Sequence, residues 1–136
     1  MTKLLGLDLG LRRIGVALSD GQVVAGQDTI EYWDRTEAIQ KILEIVRVEQ
    51  VEKIILGLPQ NGSTENGDMV RSFALEISKL AGLPIEYVDE TLTSKEAARM
   101  LSELKIDPKT NKYKQEIDRI SAKLILEQYL KEKCPK

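Results

Sequence analysis

The chain contains no histidine and a single cysteine, Cys134. These two shortages exclude whole classes of chemistry. A zinc site of the Cys/His type cannot be assembled, nor can a hydrolytic triad that passes its proton through imidazole. No internal disulfide is possible, which fits a reducing compartment and makes cytoplasmic the expected location. No apolar run approaches the ~20 residues that span a bilayer. The first residues lead straight into a strand pattern and lack the layout of a signal peptide, so no membrane partner is expected. Any bound metal would have to be a hard ion held by oxygen, which points to Mg²⁺ or Mn²⁺.

What is present fits one soluble domain over residues 1–136. The composition is 42% hydrophobic and 31% charged, enough for a single core. The net charge of −2 is a poor match for a nucleic-acid binder. Its distribution is uneven. Residues 91–136 hold 11 Lys and Arg against 7 Asp and Glu, a net of +4, and residues 1–90 carry a net of −6. The basic excess gathers at Lys105, Lys109, Lys112, Lys114, Arg119 and Lys123. Such a cluster can form a phosphate-binding patch on an acidic protein, or simply a solvated loop and helix face.

The chain is organised around Leu4-Leu5-Gly6-Leu7-Asp8-Leu9-Gly10, a short apolar run that reads as a buried strand. Asp8 breaks its pattern, because a buried carboxylate is costly unless paired or bound to a cation. By strand alternation Leu5, Leu7 and Leu9 share one face, and Gly6, Asp8 and Gly10 share the other. The flanking glycines are expected to leave open space beside the carboxylate, room for a metal ion or a phosphate. The plain alternative is that Asp8 caps a turn or meets a lysine.

Further along, Ile14, Val16 and Leu18 alternate as a second strand, Asp20-Gly21 signals a hairpin, and a third strand covers about Gln22–Ile30. Asp34 with Glu37 resembles a capping box, and Ile39, Ile42, Leu43 and Val46 make a helical stripe ending near Glu49–Gln50. Lys53–Leu58 is a fourth strand, stopped by Pro59 and followed by a polar loop, Gln60 to Gly67. Val70, Phe73, Ala74, Ile77 and Leu80 mark a second helix, ended by Gly82 and Pro84. Ile85–Val88 is a fifth strand leading into Asp89-Glu90. Thr93 with Glu96 forms a capping box for a helix reaching about Lys105, and a last helix runs from near Gln115 to about Glu132.

This order predicts an α/β fold with a five-stranded mixed sheet, order 3-2-1-4-5, and helices on both faces. Ligands in such sheets bind at the carboxyl ends of the parallel strands. Asp8 lies near one such end, and Asp89 and Glu90 lie just past another. Asp118, in the first turn of the last helix, shares a face with Ala122, Ile125 and Tyr129. It would then point toward the sheet edge, unless it merely complements the helix dipole. Three convergent carboxylates repel one another without a cation. Two divalent ions about 4 Å apart are a standard solution for phosphodiester hydrolysis, one activating water and the other stabilising the leaving oxygen. In this reading Asp8, Glu90 and Asp118 are catalytic and metal-binding, with Asp8 bridging. Arg12, Arg13, Lys109, Lys112, Lys114 and Arg119 hold nucleic-acid phosphates.

The same residues resemble a known family. Gly6-Leu7-Asp8-Leu9-Gly10, the run Arg13–Asp20, Gly57-Leu58-Pro59, Asp89-Glu90-Thr91-Leu92-Thr93, and Asp118 followed by Ala122 and Leu124-Ile125-Leu126 are similar to the YqgF/RuvX family over nearly the whole chain. The resemblance implies an RNase H-like fold. It also implies a nuclease maturing the 5′ end of pre-16S rRNA, earlier described as a Holliday junction resolvase, with its acids at Asp8, Glu90 and Asp118. The partners implied are structured RNA, DNA junctions and ribosomal precursor particles. Two positions depart from the family pattern. Thr91 stands where Arg is usual, and Gln60–Thr64 differs from the usual Asn-Met-Asp-Gly type.

Three other readings are compatible with the residues. An actin-like phosphotransferase uses a similar glycine-flanked Asp but closes two such domains over ATP. A DNA resolvase needs a dimer, to which Tyr32 or Trp33 on the surface would contribute, whereas the nuclease can be monomer or homodimer. A non-catalytic nucleic-acid-binding factor in transcription or ribosome assembly would have no use for three convergent acids.

Overall fold

The computed structural model describes residues 3–58, 64–89 and 91–133, with backbone alone at 64–66, 91–94 and 133. The strands are β1 (Leu4–Leu9), β2 (Arg13–Ser19), β3 (Val24–Gly26), β4 (Ile30–Glu31), β5 (Lys53–Leu58) and β6 (Ile85–Asp89), and the helices are α1 (Arg35–Glu49), α2 (Thr64–Ala81), α3 (Thr91–Glu103) and α4 (Asn111–Lys133). They build one six-stranded sheet, order β3-β2-β1-β5-β6, with β4 also on β2. The β1–β2 and β2–β3 pairs are antiparallel, and β1–β5 and β5–β6 are parallel. The expected centre, order and strand directions are all present.

The expected third strand is the exception, because it divides into β3 and β4. The partners Ala17↔Gly26 and Ile14↔Ile30 leave residues 15–16 of β2 facing 27–29, one residue too many. This is a bulge. Its cause lies on α4. Arg119 sits over Gly26, and its guanidinium donates to the Gln27 carbonyl (3.1 Å) and to Asp28 (3.2 Å). Those bonds draw the strand out of register.

Strand alternation divides the core in two. Leu5, Leu7, Leu9, Ile54, Leu56 and Leu58 pack under Ile39 and Ile42 of α1 and Val70, Phe73, Ala74 and Ile77 of α2. On the other face Leu4, Ala17, Ile55 and Val88 meet Ala122, Ile125, Leu126 and Tyr129 of α4. Asp34 caps α1 by accepting from the Glu37 N–H at 3.1 Å, and Gly82 closes α2 at φ +66°. Leu80, expected in the α2 stripe, is 59% exposed, because its neighbour Ala81 is the residue of the last turn that packs against the core. Helix α3 begins at Thr91, so Thr93 is inside it and is not its cap. The Glu96 carboxylate is taken by Arg99. Helix α4 begins at Asn111, four residues earlier than expected, with Thr110 Oγ1 accepting from the Tyr113 N–H at 3.2 Å.

At the amino ends of the parallel strands a polar cluster fastens α4. Lys53 Nζ donates to Glu86 (2.7 Å) and to Tyr129 Oη (3.1 Å), and the Tyr129 hydroxyl donates to Glu86 (2.9 Å). These bonds, with Glu86 first, push the Lys53 pKa upward. Tyr129→Phe is expected to lose one hydroxyl from the cluster and about 1 kcal/mol of stability, measured as a lower urea midpoint at unchanged slope.

Candidate nuclease site at the sheet edge

The face carrying Asp8 is shaped by glycines, and they do the opposite of what the sequence suggests. A Cβ on Gly6 would lie 2.5 Å from Leu126 Cγ, and one on Gly10 would lie 2.7 Å from the Arg13 carbonyl oxygen. The space beside Asp8 is therefore filled by the chain itself, not left open. Small residues here let α4 lie directly on the sheet.

That close approach brings two of the candidate acids together. Gly15 is the cross-strand partner of Asp8, so the two residues share a face with Cα atoms about 5 Å apart. A Cβ on Gly15 would lie 2.1 Å from the Asp118 carbonyl oxygen and 3.3 Å from its Cα. Asp118 thus rests over the residue beside Asp8. It is the eighth residue of α4, beyond the reach of the helix amino terminus, so dipole compensation does not explain it.

The Asp118 side chain is 17% exposed. Burial raises its pKa, and the bond from Arg13 works against that rise. Arg13 Nε donates to Asp118 Oδ2 at 2.7 Å. A carboxylate brought out of water and offset by one guanidinium is an environment that favours added positive charge.

The remaining predicted residues divide clearly. Glu90 lies outside the described residues. Asp89 is opposite Leu58 in the β5–β6 register, on the α1–α2 side of the sheet and away from the face of Asp8. Its position is that of a strand end. Arg13 is occupied with Asp118, and Arg119 with Asp28 (3.2 Å) and Glu116 (3.0 Å). Both guanidiniums are therefore engaged within the chain while remaining about one-third exposed. Arg12, Lys109, Lys112 and Lys114 are exposed. Because α4 starts at Asn111, Lys112 and Lys114 sit in its first turn and not in a loop. Lys114 is four residues before Asp118 and so on its helix face, whereas Lys112 is not.

The donors on this face are all oxygen, as a hard divalent ion requires. Asp8 and Asp118 supply two carboxylates at one edge. Among the described residues no group of three or more His, Cys, Asp or Glu side chains is assembled. Nor, among those residues, is any helix long and apolar enough to cross a membrane.

Comparison with known proteins bears on the family and the fold. The family described as "RuvX: Holliday junction resolvase" matches residues 2–132. A Streptococcus gordonii protein named "Putative pre-16S rRNA nuclease" is 37% identical over 135 residues, covering 94% of this chain and 96% of the relative. A Streptococcus pyogenes serotype M49 protein of the same name is 39% identical over 136 residues, with 94% and 96% covered. Among solved structures, T. thermophilus RuvC in complex with Holliday junction substrate superposes with a TM-score of 0.58 at 15% identity, covering 98% of this chain and 97% of the other. The Fowlpox virus resolvase with Holliday junction DNA gives 0.61 at 11% identity, with 96% and 98% covered. At such identities the likeness is one of fold, and the fold is the RNase H-like one expected from the sequence. Taken over nearly its full length, the chain belongs to the RuvX family.

Proposed function

We propose that the protein is a metal-dependent nuclease that hydrolyses phosphodiester bonds in precursor 16S rRNA. The observation that carries this is the seating of Asp118 over Gly15, beside Asp8, at the edge where β1 ends. The names of the relatives at 37–39% identity direct the reading toward RNA. Asp8, Asp118 and Glu90 would hold Mg²⁺ or Mn²⁺, most simply as two ions. Such ions supply an activated water and charge neutralisation at the leaving oxygen.

The chain's own residues set up the rest. Arg13 orients the Asp118 carboxylate and balances its charge. Arg12, Lys109, Lys112 and Lys114 present cations to phosphates around the edge. Lys114→Ala is expected to weaken substrate binding and to reduce the slope of log affinity against log salt by about one. Lys112→Ala should change both less, because it faces away from Asp118. Affinities measured across a sodium chloride series separate the two variants.

The family description favours a second reading, symmetric cutting of four-way DNA. A cleavage assay with Mg²⁺ and with Mn²⁺, on a precursor rRNA 5′ fragment and on a four-way junction, tests both. Cutting of the RNA alone supports the proposal. Cutting of the junction alone, by a dimer, replaces it with the resolvase. Cutting of neither by the full chain contradicts both.

A further inference from the structure

We propose that Trp33 and Arg12 form a stacking platform for an unpaired base of the substrate, beside the acidic edge. This rests on the nuclease reading and narrows its substrate to nucleic acid that is unstacked next to the cut. Trp33 is the only tryptophan of the chain, and it is 82% exposed. It contributes nothing to either core. The Arg12 guanidinium lies over its ring, 5.1 Å from the centroid. A planar cation on an exposed indole offers two π-faces and a phosphate partner in one place.

The backbone under this pair is fixed. Tyr32 is buried, with its ring edge-on to Phe73 at 6.3 Å. Its N–H donates to the Arg12 carbonyl at 3.0 Å, and its hydroxyl donates to the Gly10 carbonyl. The Trp33 N–H donates to Glu37 Oε1 at 3.3 Å. Tyr32 therefore latches the segment carrying Trp33 to the turn that carries Arg12. That turn follows β1 directly, and Gly10 is at most about 7 Å from Asp8 along the chain.

Together these place a rigidly mounted, outward-facing aromatic at the sheet end that bears Asp8. Bases within a continuous duplex are stacked on each other and offer no free face, so the platform suits single strands, bulges and branch points. Arg12 favours nucleic acid over an apolar protein surface, because burying its guanidinium without an anion would be costly.

The single tryptophan is itself the probe. The full chain is titrated with a short single-stranded RNA in Ca²⁺, with emission recorded beside the anisotropy of the labelled RNA. Saturable quenching that follows the anisotropy is expected. Trp33→Ala should bind about 5- to 100-fold more weakly, and Trp33→Phe should recover most of the loss. Binding without quenching, or unchanged affinity in Trp33→Ala, overturns the platform and leaves the nuclease reading standing. No binding of RNA at any strand form overturns both. An emission shift that follows protein concentration without RNA overturns it in favour of self-association.

Discussion

Asp8→Asn is expected to abolish cleavage while the protein folds as before. The loss should reach about a thousandfold or more, because metal catalysis supplies several kcal/mol and each ~1.4 kcal/mol is a decade in rate. The expectation follows from where Asp8 sits. It interrupts the run Leu5, Leu7, Leu9 without taking their places in the core, since it projects to the opposite face, toward α4. Asparagine is nearly isosteric there and removes one negative charge from an edge that already holds Asp118. The variant should therefore keep the wild-type fold. Circular dichroism and a urea titration check the fold, and a single-turnover assay checks the rate. A variant that unfolds would make Asp8 a structural residue. A folded variant that still cuts would remove it from the chemistry.

The second large effect belongs to Gly15. Replacing it with alanine sets a methyl group 2.1 Å from the Asp118 carbonyl oxygen, which is backbone and cannot rotate away. Helix α4 must lift or β2 must bend. Overpacking a tight contact costs about 1–3 kcal/mol, with backbone collisions at the upper end. The displaced residue is Asp118 itself, so activity should fall further than stability does. Gly6→Ala provides the comparison. Its methyl would meet the Leu126 side chain at 2.5 Å, and that side chain can repack. Gly6→Ala should therefore destabilise with a smaller loss of activity. Equal effects on activity in the two variants would mean that the position of Asp118 does not matter.

The contrast between these glycines also shows what a sequence can and cannot disclose. Asp8 is legible because a carboxylate in an apolar run has few innocent explanations. The sheet order is legible because the alternation of strands and helices, with right-handed crossovers, leaves few topologies. Asp118 is legible through its face, shared with Ala122, Ile125 and Tyr129, all of which pack on the sheet. Glycine, by contrast, looks the same in a sequence whether it leaves a gap or admits a helix. Only the packing of α4 decides between them, and it decides for the helix.

The other differences also arise from tertiary contacts. The third strand breaks because Arg119, more than 90 residues away, bonds to its backbone. The same contact engages Arg119 within the chain, as Asp118 engages Arg13. Thr93 and Glu96 have the spacing of a cap, but the helix already runs from Thr91, and Arg99 one turn on offers Glu96 a stronger partner. Tyr32 and Trp33 are adjacent and similar in character. One is buried at 8% exposure and the other is 82% exposed: both follow β4, but the Tyr32 ring packs on Phe73 while Trp33 meets only the Arg12 guanidinium among the ring contacts described.

The proposed nuclease activity depends on a divalent-ion site at Asp8 and Asp118. That site is tested most directly by thermal unfolding of the wild type, Asp8→Asn and Asp118→Asn across a Mg²⁺ and a Mn²⁺ titration. An ion that binds the native state alone stabilises it by about 2.7 kcal/mol at a hundred times its dissociation constant. The wild-type midpoint should therefore rise by several degrees with added ion and return on chelation, and both variants should lose that rise. A wild-type midpoint indifferent to either ion, or one that rises equally in both variants, would contradict it.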